Sequence, residues 1–96
     1  MRFLITWEFA NRSEAEQARV LSLFAKWQPP LELNEWSGFA DGSGGMCIAD
    51  AEDATALTRV TAPWTPWLDF TVRPLLPIQE TAALMVDVAG FWSSVE

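Results

Sequence analysis

The sequence predicts an α+β fold: a four-stranded antiparallel sheet with helices packed on one side. Three observations lead to it. First, residues 64–77, Trp-Thr-Pro-Trp-Leu-Asp-Phe-Thr-Val-Arg-Pro-Leu-Leu-Pro, contain a strand bounded by turn-forming residues, with Leu68, Phe70 and Val72 on one face and Asp69, Thr71 and Arg73 on the other. Second, Arg2 to Phe9 alternates in the same way, with Phe3, Ile5, Trp7 and Phe9 opposed to Leu4, Thr6 and Glu8. Third, segments with helical spacing separate the strands, two of them opened by a residue suited to capping.

The elements follow in order. After the first strand, Asn11-Arg12-Ser13 breaks the alternation, and Ser13 with Glu16 three residues on forms a capping box. The first helix carries Val20, Leu21, Phe24 and Trp27 as its apolar stripe and runs to Gln28, where Pro29-Pro30 stops it. A second, less regular strand is expected over Leu31 to Ala40. Asp41-Gly42-Ser43-Gly44-Gly45 supplies a turn, and Gly45 to Ala51 returns as the third strand of a hairpin. Asp53 caps a short second helix through Leu57 and Val60, which ends at Ala62-Pro63. The fourth strand comes next, and Pro77 opens a terminal helix with the stripe Leu84, Val88, Phe91, Trp92 and Val95. The order β-α-β-β-α-β plus a C-terminal helix is ferredoxin-like, expected here as one domain over residues 1–96.

Composition narrows the function. The chain has 96 residues, six Trp, six Phe, no His and no Tyr. Lacking histidine, it lacks the commonest general base and the commonest metal ligand, so no nucleophile triad is available and no metal or cofactor is expected. A net charge of −7 disfavours nucleic acid and anionic membrane surfaces. The single cysteine, Cys47, allows no internal disulfide, and no segment has the length and apolarity of a membrane span. With no signal-peptide pattern at the start, a cytoplasmic location is the expectation. Asp41 to Gly45 leads into a hairpin rather than a helix, so it is a turn and not a dinucleotide loop.

With the elements in place, the chain resembles a family of small bacterial proteins, the domain-of-unknown-function 3303 family of the dimeric α/β-barrel superfamily. The matching residues are Phe3 to Phe9, Asn34-Glu35-Trp36, Gly44-Gly45, the acidic step from Asp50 to Asp53, and Trp64 followed by Leu68-Asp69-Phe70, Val72 and Pro74. A histidine commonly follows the tryptophan corresponding to Trp36, and this chain has Ser37 there. The resemblance implies a homodimer in which two four-stranded sheets face each other and the helices cover the outside. Related branches of the superfamily include cofactor-free monooxygenases, lactone isomerases and haem-handling proteins, usually with a pocket between the sheet and its own helices.

Two groups of candidate site residues emerge. Phe3, Trp7, Phe24, Trp27 and Trp64, with Met46 as an adaptable wall, are candidates for an apolar cavity holding a flat organic molecule; Phe70 shares their face. The same side chains also suit ordinary core. The second group is polar. The first and last strands pair antiparallel, which brings Glu8 near Asp69, either as a proton-sharing carboxylate pair or as two solvated acids. Arg73 suits an anionic ligand or a salt bridge across the dimer. Phe91 and Trp92 are expected to grip a second subunit or the outside of the first helix. The readings are therefore a homodimeric binder of a small apolar or aromatic molecule, a structural or interaction module, and a cofactor-free oxygenase or isomerase using Glu8 or Asp69 as base.

Overall fold

A computed structural model describes residues 1–95. The strands are β1 (Arg2–Phe9), β2 (Leu33–Gly38), β3 (Gly44–Asp50) and β4 (Leu68–Leu75). The helices are α1 (Glu14–Phe24), α2 (Ala54–Thr61) and α3 (Ile78–Val95), with a 3-10 turn at Ala62–Trp64. The sheet is fully antiparallel in the order β2-β3-β1-β4, so the fold is ferredoxin-like with one additional C-terminal helix.

Local chemistry accounts for the boundaries. Ser13 caps α1 by accepting the Glu16 amide at 3.2 Å, and Asp53 caps α2 by accepting the Ala56 amide at 2.9 Å. Helix α1 stops at Phe24, four residues short of the expected Gln28. Beyond it the backbone tightens, with Lys26 donating to Leu23 and Trp27 to Phe24, so Trp27 turns inward before Pro29-Pro30. Trp64 closes the 3-10 turn, and residues 65–67 form a further turn that leads into β4.

Strand β2 is shorter than the expected Leu31 to Ala40. It covers Leu33–Gly38, and its register against β3 slips between Asn34 and Ser37. Glu35 sits at φ 55° within the slip, the one non-glycine residue with positive φ among those described. This bulge advances the strand by one residue, so Leu33 and Trp36 share the helix-covered face while Asn34 and Ser37 share the open one.

The covered face carries the core. Ile5, Cys47 and Ala49 from the sheet, with Ala51 just beyond β3, meet Leu57 and Val60 from α2. A second buried group joins Val20 of α1 to Trp64 and Leu68. The open face is different: Ile48 is buried at its centre beside half-buried Leu4 and Met46, while Arg2, Glu8, Glu35, Asp69 and Arg73 are exposed around it. Arg2 and Glu35 form an ion pair of 3.7 Å, both well exposed and so worth little. None of the residues of α3 is buried, and no helix among the described residues is long and apolar enough to cross a membrane.

Candidate functional site

Between the covered face of the sheet and the helices lies an open-mouthed cavity of about 190 Å³. Alternation along β1 aims Trp7 and Phe9 into it, and β4 contributes Leu68 and Phe70. Val20, Leu21 and Phe24 come from α1, Val60 from α2, Trp64 from the 3-10 turn, and Leu33 and Trp36 from β2. Trp27 and Cys47 complete the wall.

The rings form a connected set. Trp36 meets Trp7 at 5.7 Å and Phe24 at 5.5 Å, both edge-on, and Trp27 meets Trp64 edge-on at 5.2 Å. Phe24 also lies 6.3 Å from Trp27 and from Trp64, so one ring touches three indoles. Such contacts favour tilted and T-shaped pairs because the ring edge is positive and the face negative. Phe24 and Trp36 remain 47% and 42% exposed, which places them at the mouth rather than in the floor.

Polarity in the wall is scant. Cys47 is its sole titratable group, and burial pushes the thiol up to about 11, so it stays protonated and a poor nucleophile at neutral pH. Trp64 is buried, and its Nε1–H is the one buried side-chain polar atom without a hydrogen-bond partner among the described residues. An unpaired donor in an apolar wall is costly, and an acceptor brought by a ligand would offset that cost.

Four of the six apolar candidates, Trp7, Phe24, Trp27 and Trp64, meet at this cavity. The other two do not. Phe3 lies on the same face but packs against the core cluster under α2, four residues from Trp7. Met46 stands on the opposite, open face, because alternation with Gly45 and Cys47 directs it away from the helices, across from Ser37. Trp36 is the main lining residue that strand periodicity misses, since the bulge at Glu35 reverses its facing. Its nearness to the apolar Leu33, three positions away, was the available signal.

The polar candidates lie across the sheet from the cavity. Glu8 and Asp69 are directly opposite each other in the β1–β4 ladder, and both are exposed. Arg73 lies four residues along β4, where it joins Leu4, Thr6 and Thr71 around a small depression of about 120 Å³. None of the three reaches the apolar cavity. Among the described residues no group of histidine, cysteine or carboxylate side chains is clustered to hold a metal ion.

The family model described as domain of unknown function (DUF3303) matches residues 1–89, from the first strand into the last helix. The chain belongs to the DUF3303 family. That match spans every element lining the cavity, so the aromatic site sits within the DUF3303 unit. No curated protein matches this chain.

Proposed function

We propose that this DUF3303 protein is a homodimeric binding protein that holds one small, flat, largely apolar molecule between its sheet and its helices. The cavity supports this reading. At about 190 Å³ it is comparable to apolar protein cavities of ~150 Å³ that accept benzene, which suits a ligand of one or two rings. The exposed Phe24 and Trp36 give such a ligand an apolar entrance, and Trp64 Nε1 favours a ligand carrying one acceptor atom.

The dimer rests on the open face of the sheet. Its apolar centre of Leu4, Met46 and Ile48 within a charged ring has the anatomy of an interface, where charge is depleted at the core and tolerated at the rim. Catalysis has less support, because the cavity offers neither an acid nor a base and the carboxylates stand on the other face.

A titration with naphthalene, followed by tryptophan emission, tests the binding role, because four of the six indoles line the cavity. Saturable one-to-one binding that is lost in Leu21→Trp, a change that fills the mouth from an exposed position, is the expected result. Absence of saturation up to the solubility limit would leave the aromatic set as core and interface only. Native mass spectrometry of freshly purified protein reports the subunit count and any retained small molecule together.

A further inference from the structure

Helix α3 carries a broad apolar face, with Glu80 and Asp87 to one side of it, and is covered nowhere. Ile78, Val86, Phe91 and Trp92 are 74%, 71%, 63% and 53% exposed, and they do not share one face. Soluble helices normally turn an apolar face of this breadth toward a core. The molecule measures 57 × 27 × 20 Å, and an 18-residue helix is about 27 Å long, so α3 supplies the excess of the long axis by running off the body. In this arrangement it does not cover its own chain.

A complementary surface exists on the body. A surface helix usually turns charge outward, but beyond Glu14 the outer side of α1 presents Ala15, Ala18, Leu21, Ser22 and Ala25, all exposed and none charged. Small side chains allow a second helix to approach closely. The charges are complementary too. Acids open α1 at Glu14 and Glu16, and beyond them the segment to Gln28 carries only the bases Arg19 and Lys26, whereas α3 holds Glu80 and Asp87 and no base. Both pairs are spaced seven residues apart, about 10 Å along α3 for Glu80 and Asp87, while Lys26 stands in the turn that follows α1.

From these surfaces we infer that α3 is an exchanged arm, which packs lengthwise on the outer side of α1 of a second copy of this chain. The inference rests on the homodimer proposed above and says how it is held. Six of the exposed large apolar side chains on α3, Leu84, Met85, Val88, Phe91, Trp92 and Val95, share one face, and at roughly 100 Å² each two exchanged arms would cover on the order of 1,200 Å² before their receiving surfaces are counted, which reaches the size of a stable interface. Twofold symmetry makes the exchange reciprocal and closed. Because Leu21 belongs both to the receiving surface and to the cavity wall, the partner's arm borders the cavity mouth.

Complementation tests the exchange. Ala18→Glu blocks the receiving surface and Phe91→Glu blocks the arm; both positions are exposed, and circular dichroism verifies that each variant is folded. By sedimentation, wild type is expected to be a dimer and each variant alone to dimerise at least about tenfold more weakly. Mixing the two should restore association through one intact pair, the arm of the Ala18→Glu chain on α1 of the Phe91→Glu chain, with the heterodimer dominant in native mass spectra. A monomeric wild type would overturn both the dimer and the exchange. Variants that dimerise as wild type does would overturn the exchange and leave the dimer standing. Weakening without rescue on mixing would overturn exchange onto α1, as expected if α3 packed on its own chain or on its twin.

Discussion

Gly45→Ala tests the seating of the cavity's central indole. Gly45 lies opposite Trp7 in the β1–β3 ladder and opposite Gly38 in the β2–β3 ladder, in the one strand flanked by both. A Cβ at Gly45 would stand 2.6 Å from the Ser37 carbonyl oxygen and 2.7 Å from Cζ2 of Trp7. The first obstacle is backbone, which yields only if β2 and β3 separate. The second is a ring already held by Trp36 at 5.7 Å. Overpacking of this kind costs about 1–3 kcal/mol, and with two neighbours obstructed the upper half of that range is expected. With a urea slope of ~1 kcal/mol per M for so small a domain, the unfolding midpoint should fall by about 2 M. Equilibrium urea unfolding followed by far-ultraviolet circular dichroism and tryptophan emission measures the shift, and naphthalene affinity should fall with it. A midpoint and emission spectrum unchanged from wild type would refute the close seating of Trp7 on Gly45.

Asp69→Asn should stabilise the fold by about 0.2–1 kcal/mol, because Glu8 stands directly opposite Asp69; a lower melting temperature would instead give Asp69 a native hydrogen bond worth keeping. Asp53→Ala removes the acceptor of the Ala56 amide and should cost about 0.5–2 kcal/mol, read as a lower melting temperature without loss of the sheet signal. Cys47 should resist iodoacetamide until the protein unfolds. Its folded pKa of about 11 lies above the ordinary value of 9.0, so unfolding favours the thiolate; stability should hold below pH 9 and decline as pH rises toward 11, an effect that Cys47→Ala abolishes.

Strand β1 was legible to the residue, because one face is apolar throughout and a one-residue slip would turn Phe3, Ile5, Trp7 and Phe9 out to solvent. The caps at Ser13 and Asp53 were legible for the same kind of reason, since each meets a local need of the helix end. Strand β3 was readable as a strand but not in its facing: Met46, Cys47, Ile48 and Ala49 are all apolar, so alternation carries no sign, and Met46 falls on the open face. In β2 the sign is carried but reversed midway. Strict alternation sets Leu33 and Trp36 on opposite faces; the left-handed turn at Glu35 puts both under the helices, which buries more apolar surface than the strain of one residue costs. Helix α3 was readable in extent, while its cover was not, because a stripe of large side chains states that something must be buried and not against what.

The division between the two faces of the sheet bears on what the molecule does with a ligand. The apolar volume lies wholly on one side, and Glu8, Asp69 and Arg73 wholly on the other, separated by the strands themselves. A ligand in the cavity therefore meets no proton donor or acceptor stronger than an indole N–H or a thiol held protonated. Face-to-face pairing of two sheets would bring further charges to the open side and none to the cavity. An exchanged arm differs in this respect. Laid on α1, it would carry Glu80 and Asp87 of a second copy past Leu21, so the partner would add two carboxylates near the cavity mouth. Because that arm also borders the mouth at Leu21, Phe91→Glu, which frees it, should change the affinity for naphthalene, whereas an affinity unaltered in that variant would place the arm away from the cavity.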